Sequence, residues 1–208
     1  MEKINEFLST TKKPALIRKF FLTERAKISL VERESHFQKI ISQFFMLKEY
    51  QDAINVLAYY GKTDSGEFNT LPLIDRILLD GKRVFLPKCI SEGVGLNLFE
   101  IKNSKEDVEE GKYGIMEPIS DPSKQATIQN IDIAVIPGSV FDIYGTRYGY
   151  GKGYYDNLLQ KCEPLRPLKI AFALDFTITQ IPLQTHRKDI PMDIIISETR
   201  LLRIDSKP

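Results

Sequence analysis

Apolar positions recur along the chain with a helical period in its first quarter and in short continuous runs afterwards. From about Lys13 to Lys27, Leu16, Phe20, Phe21 and Leu22 punctuate a run of Lys, Arg and Glu, which predicts an amphipathic helix with a cationic outer face. Ser29 and Glu32 then have the spacing of a capping box. Phe37, Ile40, Ile41, Phe44 and Phe45 follow at i, i+3, i+4, i+7 and i+8, so the second helix is predicted to be the more deeply buried.

Beyond Asp52 the period changes. "INVLAYY" predicts a strand, "KTDSGEFNT" a loop, and Pro72 stands where a helix can start in "LIDRILLDGK", which Gly81 ends. Strand signals recur at Val84 to Leu86 and at Leu96 to Ile101. Lys102 to Asn130 is polar and broken by Gly111, Gly114, Pro118 and Pro122, which predicts a long, weakly regular connection. "IDIAVIPG", Ile131 to Gly138, is almost continuously apolar, as a strand covered on both faces should be. "YYDNLLQK" reads as a helix start, and "LKIAFAL" and "MDIIISE" as two more buried strands. Strands alternating with helices imply an α/β sandwich with a largely parallel sheet.

At 208 residues the chain suits one substantial core, so residues 1–208 are expected to form a single domain. Apolar residues at 42% and charged ones at 27% are those of a folded protein. Twenty-nine basic residues nearly balance twenty-eight acidic ones, which argues against nucleic acid or anionic lipid as a partner for the whole molecule. Cys89 and Cys162 occur singly, without zinc-ligand spacing, and are expected to be reduced thiols. The N-terminal "MEKINEFLSTTKK" lacks the apolar run of a signal peptide and no later stretch approaches spanning length, so a cytoplasmic protein without a membrane partner is expected. His36 and His186 read as a helix-surface and a loop histidine.

The chemistry concentrates in "RYGYGKGYYD", Arg147 to Asp156, predicted to leave the C-terminal end of the strand that closes at Ile136 and to lead into the helix beginning near Tyr154. Gly149, Gly151 and Gly153 remove every second side chain, so backbone amides can close around an anion, with the helix N-terminus adding its dipole. Lys152 would lie against that anion and Arg147 could pair with a second phosphate. A Walker loop would need glycine at Thr146 and Ser or Thr at Gly153; a dinucleotide fingerprint would need a small residue at Tyr154. Neither template fits. The competing reading is a glycine-rich turn with packing tyrosines, which does not account for two cations followed by a carboxylate. Asp156 has two readings: a first-turn carboxylate favoured by the dipole, or a ligand of Mg2+.

The longer stretch "PGSVFDIYGTRYGYGKGYYD" closely resembles the signature of the 5-formyltetrahydrofolate cyclo-ligase family. Pro137, Gly138, Phe141, Asp142, Gly145, Arg147, Gly149, Gly151, Lys152, Gly153, Tyr154, Tyr155 and Asp156 carry the resemblance. Weaker agreement extends through "GEFNT", "GKRVFLP", "GIMEP" and "KDIPMD". The resemblance implies a three-layer α/β sandwich with helices on both faces and an ATP- and Mg2+-dependent ring closure of a reduced folate.

By the same resemblance, Arg147, Tyr148, Gly149, Tyr150, Gly151, Lys152, Gly153, Tyr154 and Tyr155 form the main ATP segment. Lys152, with Arg147, would stabilise the transferred phosphoryl group. Arg18 matches the arginine that ends an N-terminal KxxxR nucleotide motif, but Pro14 stands at its lysine position and Lys13 is the nearest cation. Glu67 matches a folate-contacting glutamate, Tyr60 or Lys62 would line the same pocket, and Asp156 and Asp189 would be metal positions. The family commonly has Leu at Tyr148 and Arg at Asn157. A monomeric enzyme is expected. Two alternatives remain: a catalytically weak folate- or nucleotide-binding protein, motivated by Pro14, and an unrelated sugar-phosphate enzyme, which leaves "GEFNT" and Arg18 unexplained.

Overall fold

A computed structural model describes residues 2–90, 92–162, 167–187 and 189–204; Lys188 of "KDIPMD" lies outside them. Helices α1 (Glu2–Thr10), α2 (Pro14–Ala26), α3 (Leu30–Met46) and α4 (Lys48–Asp52) precede the first strand, and α5 (Leu71–Leu79) and α6 (Tyr154–Leu159) follow later. Pro14 is the first residue of α2, where its missing N–H costs nothing and its fixed φ suits the helix. Ser29 caps α3 by accepting from the Glu32 amide at 3.2 Å. Phe37, Ile40, Ile41 and Phe44 of α3 are buried as their spacing predicts, and Phe45 is partly so. The stripe of α2 sits one position off the expected one: Ile17, Phe21 and Arg25 are buried while Leu16 is 49% exposed. Helix α1 was not anticipated; its Leu8 joins Ile17 and Phe21, and Phe7 stacks on Phe20 at 4.4 Å.

The strands are β1 (Asn55–Leu57), β2 (Arg83–Cys89), β3 (Leu96–Ile101), β4 (Val108–Glu110), β5 (Met116–Pro118), β6 (Gln125–Ala126), β7 (Ile133–Val135), β8 (Val140–Asp142), β9 (Arg147–Tyr148), β10 (Leu168–Phe172), β11 (Ile178–Thr179), β12 (Ile194–Ile196) and β13 (Leu201–Arg203). The described residues form a central sheet of order β13-β12-β10-β7-β1-β2-β3-β6, parallel from β12 through β2 and antiparallel at both edges. Its strands alternate between two buried faces. Val56, Ile133, Val135, Ile170, Phe172, Ile194 and Ile196 meet α3 and α5 on one side; Leu57, Ala134, Ala171 and Ile195 meet Leu158 and Leu159 of α6 on the other. Both faces being covered is why these strands read as continuous apolar runs, and the result is a three-layer α/β sandwich.

Strand order reverses between β1 and β7, since the chain proceeds from β1 to β2 on one side and from β7 to β10 on the other. The crevice at the C-terminal ends of two such strands is where open α/β sheets hold ligands. Two features there correct the sequence reading. The glycine loop does not leave β7 directly, because a β8–β9 hairpin intervenes, with β11 added parallel to β8. Buried Asp142 organises its turn, accepting from the amides of Tyr144 and Thr146 with Oδ1 and of Leu183 with Oδ2. Gly145 takes φ +87°, and a Cβ there would stand 2.6 Å from the Met192 carbonyl oxygen. The long polar connection is also more regular than expected: β4 and β5 pair antiparallel, and β6 adds to the sheet edge.

Candidate active site

The glycine loop runs from the end of β9 to the start of α6. Gly151 and Gly153 adopt φ +85° and +73°, which side chains other than glycine tolerate poorly. Two of the glycines also make room for guanidinium groups. A Cβ on Gly149 would lie 2.9 Å from Arg147 Nη1, and one on Gly151 would lie 2.9 Å from Arg18 Nη2. Gly153 meets nothing within 4 Å, so its requirement is conformational alone. Helix α6 spans only six residues, so its dipole adds little positive potential to that of the loop amides and side-chain cations.

The cations differ in setting. Arg147 lies beneath the loop, its side chain 3% exposed, and donates from Nη2 to Asp156 Oδ1 at 2.7 Å. Its guanidinium carbon stands 6.0 Å from the Tyr155 ring centroid. Burial lowers the proton affinity of Arg147, with Asp156 opposing; burial raises that of Asp156, with Arg147 opposing and Asp189 adding to the rise. Lys152 is exposed and makes no hydrogen bond or ion pair among the described residues. Arg18 is half-buried against Gly151. Lys13 is the exposed N-cap residue of α2 and does not line the cleft, whereas Pro14 does.

Glu67 is brought to the same place from 80 residues upstream of Arg147. It is buried at 7% exposure, Oε2 accepts from the Lys62 amide at 2.6 Å, and Oε1 accepts from the Tyr150 hydroxyl. Burial, then the Glu67 charge, pushes the Tyr150 phenol above its ordinary value, so it remains a donor. Lys62 Nζ donates to the Tyr113 carbonyl at 2.7 Å, and the Tyr60 hydroxyl donates to the Ser104 carbonyl. The Tyr148 hydroxyl donates to the Gln184 carbonyl at 2.9 Å while its ring joins the core beside Ile17 and Phe21.

These groups surround a cleft of about 820 Å3, within the range of roughly 300–1,000 Å3 usual for small-molecule sites. Every residue from Arg147 to Asp156 lines it, as do Arg18, Tyr60, Lys62, Glu67 and Asp189. The sequence reading missed the opposite wall. Tyr113, Ile115, Met116 and Glu117 line it, with Cys89 and Leu96 beneath, and the Tyr113 and Tyr154 hydroxyls stand 3.3 Å apart across the mouth. "GIMEP" was the signal for that wall. Tyr59 was also missed; burial and then the Glu67 charge hold its phenol well above the ordinary value.

Asp156 and Asp189 face the cleft together, and Asp189 Oδ2 accepts from the His186 amide at 2.7 Å. Among the described residues no group of three or more His, Cys, Asp or Glu could hold a metal, so a metal here would have to take most of its ligands from substrate and water. Both cysteines are free thiols. His186 is an exposed loop residue, as expected; His36 lies on α3 with its side chain 22% exposed, and its Nδ1 is buried, 4.0 Å from Glu198 Oε1. No helix among the described residues is long and apolar enough to cross a membrane.

The model of the 5-formyltetrahydrofolate cyclo-ligase family matches residues 10–198. A probable 5-formyltetrahydrofolate cyclo-ligase of Schizosaccharomyces pombe is 30% identical over 182 residues, which cover 82% of this chain and 87% of that protein. The 5-formyltetrahydrofolate cyclo-ligase of Escherichia coli K12 is 29% identical over 136 residues, covering 65% and 74%. Among solved structures, the NMR structure of 5,10-methenyltetrahydrofolate synthetase from Aquifex aeolicus superimposes with a TM-score of 0.79 at 31% identity, covering 94% of each chain. An 820 Å3 cleft at the strand-order reversal, a loop opened by alternating glycines and a likeness that spans nearly the whole chain agree: this chain belongs to the 5-formyltetrahydrofolate cyclo-ligase family.

Proposed function

We propose that this protein closes 5-formyltetrahydrofolate to 5,10-methenyltetrahydrofolate at the expense of ATP. The formyl oxygen of an amide is a poor leaving group. Transfer of the γ-phosphoryl group to that oxygen, attack of the neighbouring folate nitrogen on the activated carbon and departure of phosphate give the methenyl product, ADP and phosphate. The observation that carries this reading is the Tyr150–Glu67 hydrogen bond, which joins the glycine loop to the carboxylate of "GEFNT" inside one cleft.

The roles follow from the settings. Exposed and without a partner among the described residues, Lys152 has the freedom to meet a transferred phosphoryl group, and Arg147, fixed beneath the loop, supplies preorganised positive charge. Arg18 with the amides of residues 149–153 would hold the nucleotide phosphates, whereas Lys13, outside the cleft lining, would add only longer-range positive charge. Tyr148, Tyr154 and Tyr155 shape the nucleotide side. Glu67, with Tyr60 and Lys62, would contact the folate. The Asp156 and Asp189 pair suits Mg2+, which proteins usually bind through one or two carboxylates plus phosphates and water. Asp156 and Asp189 would hold it, and when bound it would neutralise phosphate charge. The setting this reading carries is a monomeric cytoplasmic enzyme with a small-molecule substrate and neither nucleic acid nor membrane as partner.

Purified protein incubated with 5-formyltetrahydrofolate, ATP and Mg2+ should develop the near-ultraviolet absorbance of the methenyl product. A folded protein that gives no signal would sink the proposal. A second reading, a folate- or nucleotide-binding protein with weak turnover, is favoured by Pro14 lining the cleft where the family motif has lysine. Calorimetric binding of folate without ATP consumption would support it.

A further inference from the structure

Helix α2 carries a second arginine toward the site. Arg25 lies seven residues beyond Arg18, hence on the same face, and is 7% exposed. Its guanidinium meets three separate segments. Nη1 donates to the Gly138 carbonyl at 3.3 Å, just after β7; Nη2 donates to the Ser65 carbonyl at 3.4 Å and to the Tyr150 hydroxyl at 2.7 Å. Tyr150 in turn donates to Glu67. The loop before Glu67 is shaped around this side chain. Gly66 takes φ +81°, and a Cβ there would stand 3.4 Å from Arg25 Cγ and Nε and 3.3 Å from Arg33 Nη1. Arg33 holds the same loop by donating to the Thr63 carbonyl at 3.1 Å.

A phenol that accepts from one partner has its own proton left for another. Because Arg25 donates to Tyr150 Oη, the Tyr150 proton is left for Glu67, whose Oε1 accepts it at the end of the chain. We propose that Arg25 is a positioning residue for the folate half of the site, orienting Glu67 through Tyr150 and locking the "GEFNT" loop to the glycine loop. The inference rests on reading Glu67 as a folate contact.

The test separates the two halves of the cleft. In Arg25→Met the KM for 5-formyltetrahydrofolate should rise about tenfold or more, as expected for loss of a charge-assisted hydrogen bond, while the KM for ATP changes about twofold or less. Tyr150→Phe, which keeps the ring and removes the relay, should reproduce that rise, and the double variant should be no worse than either single one. Arg25→Lys, with one donor left for Tyr150, should recover part of the affinity. Equal effects on both KM values, or additive effects in the double variant, would reduce Arg25 to a scaffold residue and overturn the proposal. Should Arg25→Met fail to fold, an unchanged folate KM in Tyr150→Phe overturns it alone. Absence of turnover in the wild type instead removes the functional reading on which it depends.

Discussion

Arg147 and Asp156, the first and last residues of "RYGYGKGYYD", are joined by a hydrogen-bonded ion pair of 2.7 Å, so the glycine loop is closed at its base by its own ends. The arginine side of that pair is 3% exposed and the aspartate side 27%. Removing the carboxylate would leave a buried guanidinium without its counter-charge. Asp156→Ala should therefore cost about 3–5 kcal/mol of folding stability, measured by urea denaturation. Asp156→Asn keeps an oxygen acceptor for Arg147 but not the charge and should cost less than Asp156→Ala. If Asp156 also holds Mg2+, the asparagine variant should need more Mg2+ for half-maximal turnover although it is well folded.

Lys152 presents the opposite case, a side chain in solvent with no partner among the described residues. Lys152→Met should change stability by no more than about 0.5 kcal/mol. Turnover should fall by about 10²–10³-fold, the loss seen when a donor to developing charge is removed. Thermal melting and the absorbance assay, run on one preparation, check both; a fully active variant would remove Lys152 from the phosphoryl-transfer role.

Gly151 and Gly153 separate backbone strain from steric exclusion. Either residue changed to alanine carries a left-handed backbone, at about 1–2 kcal/mol. Only in Gly151→Ala does the new Cβ also displace the Arg18 guanidinium, 2.9 Å away. Gly151→Ala should raise the KM for ATP severalfold more than Gly153→Ala, despite similar losses in melting temperature. Equal KM values would show that Arg18 does not serve the nucleotide.

Asp175 sets a pH dependence away from the cleft. Burial pushes its carboxyl up, but hydrogen bonds from Thr199, Arg200 and Ser197 outweigh it and leave the proton affinity below the ordinary value. A lowered folded value means that the stability it contributes is complete above the unfolded value of about 3.9 and fades as pH falls through the lower folded value. Urea midpoints followed from pH 6 downward should thus drop below about pH 4, and Arg200→Ala should flatten that drop while lowering the plateau.

Much of the fold was legible because it is written locally. A strand covered on both faces has to be apolar nearly throughout, which is why Ile133–Val135, Ile194–Ile196 and, apart from the ion-paired Lys169, Leu168–Phe172 stood out. Ser29 and Pro72 act within one turn of helix, so they marked the starts of α3 and α5 without any tertiary information. The reading of Arg147 to Asp156 as an anion cradle was equally local, since it depends on alternating glycines and the charges between them. What the amino-acid sequence determined by itself was therefore the α/β class, the glycine loop and, through the signature around it, the family.

The remainder depended on contacts between distant segments. Whether Leu16 or Ile17 turns inward is decided by the packing of α1 and α2 on Val140 and Tyr148, which no helical period records. Three-residue strands such as β4, β5 and β8 carry too few positions to show an alternation. Above all, the meeting of Arg25, Glu67 and Tyr150 spans 125 residues and exists because strand order reverses between β1 and β7, setting the loops that follow them side by side. Periodicity tells each residue which face it occupies; only the folded sheet decides which loops share an edge, and with them which side chains form the site.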